Sequence, residues 1–161
     1  MYKIRGHTLL CLQGFRGKGY SDAFVSNMKN IHETLFSNPQ TEVDVVIGPD
    51  DICFACPSLK GSACTLNGPG TEGEMVGKDN NVIELIGLYP KRRYRWGEIL
   101  NRISQRLSSD IIKDLCSGCQ WLPLGHCEKG IRLVADKSRG GSTDEDRAPL
   151  FRRHVCGNDR R

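Results

Sequence analysis

The chain has 161 residues, of which 38% are hydrophobic and 26% charged, and its net charge is +4 at neutral pH. This length suits one domain with its own core, and the composition excludes disordered and membrane-spanning classes, because no apolar run approaches the roughly 20 residues that cross a bilayer. Most of the net positive charge, +3 of the +4, lies in residues 137–161, so it does not mark a basic face on the folded part. The first residues lack the apolar region of a signal peptide, and we expect a cytoplasmic protein.

The predicted elements are mostly amphipathic helices. The apolar stretch 7–12 predicts a short first helix. Ser21 and Asp22 offer capping oxygens for a second helix over 21–36, in which apolar residues recur at three- and four-residue spacing. Further along, we predict a buried strand over 43–47, an irregular cysteine-rich segment over 50–78, helices over 79–88, 96–107 and 109–115, and a short strand over 131–135.

These elements predict an α+β fold: a small single domain of several amphipathic helices with a short sheet and irregular cysteine-rich loops. We place this domain over residues 1–136. The segment 137–161 is rich in Arg, Gly, Ser and Asp, which predicts a flexible basic tail.

The eight cysteines form the most informative pattern. The spacing Cys-x2-Cys-x7-Cys occurs twice, over residues 53–64 and 116–127. In a reducing cytosol such a pattern indicates metal ligation rather than disulfides, because one turn aims two sulphurs at a metal and a short loop returns the third. We predict that seven cysteines bind the metal or cofactor: Cys11, Cys53, Cys56, Cys64, Cys116, Cys119 and Cys127.

Each of these modules lacks a fourth ligand. Cys11, on the ordered first helix, is the natural partner of one module, and Cys156 in the tail is the candidate for the other. Without Cys156, one centre has three cysteines and an open position, where a catalytic centre binds substrate. The candidates for substrate contact or catalysis are His7, Arg5 and Lys18.

The spacing does not separate iron–sulphur clusters from zinc. The zinc alternative is a zinc-stapled binding module, in which the basic run 91–95 and the tail contact RNA or a protein partner. A metal-free thiol protein is the third interpretation. The sequence holds no catalytic triad, paired catalytic carboxylates or dinucleotide fingerprint, so it does not decide whether the protein is an enzyme.

An ordered series of motifs runs through residues 2–135. It comprises Arg-Gly-His-x-Leu-Leu-Cys over 5–11, Gly-Phe-x-Gly-Lys-Gly-Tyr-Ser over 14–21, Phe-Val-x-Asn-Met over 24–28, Asp-Asp-Ile-Cys-x-x-Cys-Pro over 50–57, Cys64, Cys-x-x-Cys-x-Trp over 116–121, and Cys127. With these motifs the chain resembles the domain of unknown function 1284, a family of small bacterial and archaeal proteins suspected of binding iron and sulphur. Members commonly carry two histidines where this chain has His7 and Thr8.

This resemblance implies an iron–sulphur cluster as the cofactor in preference to zinc, and it supplies no reaction and no named substrate. Our leading prediction is a [4Fe–4S] cluster with a role in electron transfer, redox sensing or cluster-based chemistry. We expect a redox partner or a small-molecule substrate and no membrane partner.

Overall fold

The computed structural model describes residues 1–138. Its strands are β1 (Tyr2–Arg5), β2 (Glu42–Val46), β3 (Leu59–Lys60), β4 (Ala63–Cys64) and β5 (Arg92–Arg95). Its α-helices are α1 (Gly6–Gly14), α2 (Asp22–Ser37), α3 (Thr71–Leu85), α4 (Trp96–Arg106), α5 (Ser109–Leu115) and α6 (His126–Ser138). Short 3-10 helices span Cys53–Ala55 and Leu122–Leu124. The α+β class is therefore confirmed, whereas the predicted tail lies outside the described residues apart from the last two residues of α6.

The main sheet has the strand order β1-β2-β5. Strands β1 and β2 are parallel, with Tyr2 opposite Val43, and helices α1 and α2 form the connection that a parallel pair requires. Strand β5 adds antiparallel to the other side of β2. Strands β3 and β4 form a separate antiparallel hairpin. The parallel pairing of β1 and β2 therefore places the start of α1 beside the end of β2.

Helices with strong periodicity form where the sequence predicts them. The Ser21 side chain accepts a hydrogen bond from the backbone N–H of Phe24, which caps α2. The Ser108 side chain caps α5 in the same way, and α5 has the predicted bounds. Both caps satisfy donors that the first turn of a helix leaves unpaired.

Two predicted segments are wrong. The segment 50–78 is not irregular throughout, because it contains the β3–β4 hairpin and the first half of α3, which begins at Thr71 rather than at residue 79. Gly73 and Gly77 weaken the helical pattern there, but packing of the later turns overrides the low propensity. The strand predicted over 131–135 lies inside α6, whose buried residues are Gly130 and Ile131.

The core lies between the helices and one face of the sheet, where Val43 and Val45 are fully buried. Trp96, at the start of α4, is its largest fully buried side chain. Across the described residues, no helix is both long and apolar enough to cross a membrane.

Helices α1 and α6 approach closely at two glycines. A Cβ atom at Gly14 would lie 2.5 Å from Sγ of Cys127, and one at Gly130 would overlap the carbonyl oxygen of Gln13. Only residues without a Cβ permit this spacing, which brings the C-terminal end of α1 beside the first two turns of α6.

Replacing Gly14 with alanine is therefore expected to destabilise the protein by about 1–3 kcal/mol through overpacking. Gly77 in α3 is the matched control, because a Cβ there meets no atom within 4 Å. Gly77→Ala should stabilise the protein by about 0.5–1 kcal/mol, since alanine is the better helix former. Urea unfolding of the two variants measures both effects, and a Gly14→Ala variant as stable as the wild type would contradict the tight α1–α6 contact.

Candidate metal centre

All seven cysteines of the described residues are free thiols and line one cavity of about 160 Å³. We call this space the cysteine cavity. Its wall also contains the three residues predicted to contact substrate, His7, Arg5 and Lys18. The fold thus brings together the predicted site residues that the structure describes, and Cys156 lies outside the described part of the chain.

The two cysteine modules begin with the same backbone turns. The N–H of Cys56 donates to the carbonyl of Cys53 at 2.8 Å, and the N–H of Cys119 donates to the carbonyl of Cys116 at 2.9 Å. In each module the residue three positions further donates to the carbonyl of the second cysteine, at 3.1 Å. The modules then diverge, because the third cysteine lies in β4 in the first and in α6 in the second. Equal spacing therefore corresponds to an equal local turn at each Cys-x2-Cys motif.

Four of the thiols interact electrostatically with one another. The thiol of Cys11, in α1, is affected by the negative charge of each thiolate of the second module. The thiolates of Cys127 and Cys119 raise the pKa of Cys116, and that of Cys119 raises the pKa of Cys127. We call this set the four-cysteine group: Cys11, Cys116, Cys119 and Cys127. Cys11 of α1 therefore lies close to the thiols of the second module.

Burial and mutual repulsion raise the pKa of these thiols. Burial, followed by the nearby thiolates of Cys127 and Cys119, raises the pKa of Cys116 to about 11. Burial and neighbouring thiolates also raise the pKa of Cys127, and that of Cys11 well above its ordinary value. Thiols that face one another in a buried wall stay protonated unless a cation compensates their charge. A metal ion supplies that compensation and holds its thiol ligands deprotonated, so this donor set fits a metal centre.

The remaining three thiols belong to the first module, and we call them the three-cysteine group: Cys53, Cys56 and Cys64. Asp50, which is 1% exposed, fixes the turn at Cys53. One carboxylate oxygen of Asp50 accepts hydrogen bonds from the N–H groups of Ile52 and Cys53, at 3.0 and 2.8 Å. The other accepts from the N–H of Arg5 at 3.0 Å. This buried carboxylate attaches the three-cysteine group to the end of β1.

Arg5 links the same group to α3. Its guanidinium, buried with the rest of the side chain, donates to Asp79 at 2.9 Å and to Glu72 at 2.8 Å, and one nitrogen lies 3.9 Å from Sγ of Cys53. The second oxygen of Glu72 accepts from the N–H of Cys64 at 2.7 Å. Because these partners occupy its guanidinium, Arg5 acts as a positioning residue for the three-cysteine group.

His7 and Lys18 have different surroundings in the cavity wall. The Nδ1 atom of His7 lies 2.8 Å from a carboxylate oxygen of Asp79, and its ring lines the cavity. Lys18 is exposed and places its positive charge on the solvent side of the same cavity. Of the two, only His7 presents a side chain oriented by a buried partner.

Aromatic side chains close part of the cavity. Tyr20 packs against Phe24 with ring centroids 5.1 Å apart and against Trp121 with centroids 6.1 Å apart. All three rings line the cavity. Burial raises the pKa of Tyr20, so its phenol stays neutral. These rings lower the polarity around the thiols and limit the access of water.

The basic run 91–95 lies in and beside β5 and leads directly into α4, whose N-cap is Arg95. Arg93 donates to Asp44 at 2.8 Å and lies 3.4 Å from a carboxylate oxygen of Glu42. Arg92 lies over the ring of Tyr89. Acidic residues of the sheet therefore balance part of the positive charge of the basic run. Nucleic-acid binding by this run stays a prediction.

In the metal-free, reduced protein, we expect Cys53 and Cys116 to react slowly with iodoacetamide at neutral pH. Burial, with the charge of Asp50, raises the pKa of Cys53 to about 12, and the pKa of Cys116 is about 11. Because the thiolate is the nucleophile, each rate should rise about tenfold per pH unit until the pH approaches that pKa. Peptide mass spectrometry over a pH series measures both rates. Rapid alkylation of either thiol at neutral pH would contradict the buried arrangement.

Sequence reasoning missed the carboxylates that organise the site, of which Asp50 and Asp79 are buried and Glu72 is partly exposed. Asp50, Glu72 and Asp79 look like surface charges in the sequence, and the Arg5–Asp79 contact joins residues 74 positions apart. The Asp-Asp-Ile-Cys motif was a usable signal for Asp50, because a carboxylate three residues before a cysteine can cap its turn. No comparable local signal marks Asp79.

The fold and the site define a small α+β protein whose cysteines meet at one cavity. The chain belongs to the family described as Protein of unknown function (DUF1284), whose sequence model matches residues 19–125. The resemblance noted from the motifs is thereby confirmed, and the matched part contains both Cys-x2-Cys motifs. Neither a curated protein nor a solved structure matches the chain.

Proposed function

We propose that the protein is a cytoplasmic iron–sulphur protein whose [4Fe–4S] cluster is bound by the four-cysteine group. The observation that supports this most strongly is the meeting of four thiols from three separate segments at one cavity. Four cysteine thiolates are the usual ligand set of such a cluster. The cytoplasm is part of the proposal because a reducing compartment keeps these thiols free.

A cluster explains the arrangement of the thiols better than a single zinc ion does. The four thiols lie around the wall of one cavity. Zinc draws its ligands onto one point, with sulphur about 2.3 Å from the metal. A cluster instead binds each thiolate at a separate iron atom, so thiols spread around a cavity suit it.

The surroundings of the four-cysteine group favour electron transfer. When bound, the cluster supplies a one-electron redox step. The charges of Arg16 and Lys78 favour the thiolate forms of Cys127 and Cys116, respectively. Tyr20 and Trp121 shield the cavity from water. Because four thiols complete the ligand shell, this centre has no open position for substrate, and the expected partner is a redox protein or a small redox molecule.

Anaerobic purification, followed by reconstitution with iron and sulphide, tests the proposal. Iron, zinc and acid-labile sulphide are quantified beside the visible spectrum. The proposal predicts a brown protein with iron and sulphide in equal amounts and with broad visible absorbance that dithionite bleaches. A colourless protein with stoichiometric zinc would overturn it and favour a zinc-stapled binding module. A protein that binds neither metal and folds unchanged in chelator would favour the metal-free interpretation.

A further inference from the structure

The three-cysteine group lacks a fourth cysteine in the described part of the chain. Cys11 belongs to the four-cysteine group, and these two groups account for all seven thiols there. The wall of the cavity nevertheless contains a nitrogen donor, the imidazole of His7. His7 precedes Cys11 by four residues, so both side chains lie on the same face of α1, about one turn apart.

The hydrogen bonds of His7 fix its tautomer and orientation. One oxygen of Asp79 accepts from the backbone N–H of His7 at 3.1 Å and faces Nδ1 of its ring at 2.8 Å. The other oxygen is occupied by Arg5 and by the N–H of Gly48. A carboxylate in this position accepts a proton-bearing Nδ1, which leaves the lone pair on Nε2. Histidines that bind metals characteristically have this carboxylate partner on their other nitrogen.

The same carboxylate also connects His7 with the three-cysteine group. Arg5 bonds to Asp79 through Nε and lies 3.9 Å from Sγ of Cys53 through Nη1. The side chain of Asp79 is completely buried, so this network is rigidly enclosed between β1, α1 and α3. The buried ion pair between Arg5 and Asp79 therefore fixes the position of His7 relative to Cys53.

We infer that Nε2 of His7 is the fourth ligand of a second iron–sulphur cluster, whose other ligands are the three thiols of the three-cysteine group. Helix α1 then supplies one ligand to each module, Cys11 to the second and His7 to the first. Seven thiols and one imidazole make two complete shells of four. This inference rests on the proposed function, because it takes the protein to be an iron–sulphur protein.

Histidine ligation has a measurable consequence. A neutral imidazole in place of an anionic thiolate makes the cluster less negative, which raises its reduction potential relative to an all-cysteine cluster. The two centres are therefore expected to titrate at different potentials, with the histidine-ligated centre reduced first. His7→Cys should lower the potential of that centre alone.

Pulsed electron paramagnetic resonance of the reconstituted, dithionite-reduced full chain tests the inference. The protein is prepared with natural histidine and with histidine labelled with nitrogen-15. We expect a strong histidine nitrogen coupling that changes with the isotope in the unmodified protein. The coupling should disappear in His7→Cys, whose iron content should stay unchanged because a thiolate replaces the imidazole. His126→Gln is the matched control, since His126 also lines the cavity and should leave the coupling intact.

Three outcomes would overturn the inference: no histidine coupling in an unmodified protein that carries iron and sulphide, coupling that persists in His7→Cys, or coupling that disappears in His126→Gln instead. The isotope comparison uses the unmodified chain, so it decides the question even if a variant fails to fold. Cys11→Ser separates the two proposals, because it should leave the histidine-coupled signal in place. A protein without iron or sulphide would instead overturn the proposed function itself.

Discussion

Replacing Asp79 with alanine is expected to destabilise the protein by about 3–5 kcal/mol, because it leaves the buried guanidinium of Arg5 without its main partner. Asp79 is fully buried and accepts hydrogen bonds from Arg5, His7 and the N–H of Gly48. These bonds join β1, α1, the end of β2 and α3. Urea unfolding of the metal-free protein measures the loss without interference from a bound metal.

A matched control is Asp44→Ala, which removes an acid paired with the exposed Arg93 at the sheet surface. Exposed pairs contribute little to stability, so its effect should be several-fold smaller. Equal losses in the two variants would contradict the role assigned to the buried network.

The pH dependence of stability provides a second measurement at the same residue. Although burial disfavours its charged form, the hydrogen bonds from His7 and Arg5 lower the pKa of Asp79 below its ordinary value. Ionised Asp79 therefore stabilises the fold fully above the pKa of an aspartate in the unfolded chain, which is about 4. This stabilisation is lost as the pH falls through the lower pKa that Asp79 has in the folded protein. Asp79→Asn should lose less stability than the wild type over that acid range. An identical acid dependence in both proteins would contradict the assignment.

Replacing Cys11 with serine is expected to remove the cluster of the four-cysteine group and with it about four irons per chain, the content of one [4Fe–4S] cluster. Cys11 is the one thiol of this group outside the second module, and it interacts with all three thiols of that module. Serine has nearly the same size, so the fold should persist while the ligand is lost. Iron and acid-labile sulphide, measured against the unmodified protein, give the result.

The control for this experiment is Cys156→Ser. Cys156 lies in the predicted tail and is not needed to complete either proposed ligand shell, so its replacement should leave the iron content unchanged. Loss of iron from Cys156→Ser with none from Cys11→Ser would assign the fourth thiol to the tail and contradict the four-cysteine group.

Local patterns predicted α2, α4 and α5 because each has regular apolar spacing. Ser21 also provided a capping signal, whereas the cap at Ser108 was seen only in the structure. The strand β5 could not be predicted in the same way, since its sequence Arg-Arg-Tyr-Arg has no apolar alternation. It forms because β2 offers an antiparallel edge, with Asp44 and Glu42 as partners for Arg93.

Local patterns likewise predicted only one part of the candidate site, and tertiary contacts determine the rest. The repeated spacing of the cysteines predicted two equal turns, and each Cys-x2-Cys motif has the same hydrogen bonds. The proximity of Cys11 to the second module depends on the close approach of α1 and α6 at Gly14, which is a tertiary contact. Orientation of His7 by Asp79 likewise depends on packing between distant segments. Sequence spacing identified the cysteines that line the cavity, and long-range packing places them beside one another.

Iron K-edge X-ray absorption of the anaerobically reconstituted protein tests the central claim most directly, because it reports the atoms around the iron itself. We expect a sulphur shell together with an iron–iron shell, and in Cys11→Ser both shells should persist around the remaining iron while the iron content falls by about four per chain. Iron surrounded only by oxygen and nitrogen, with no iron–iron shell, would contradict an iron–sulphur centre at the cysteine cavity.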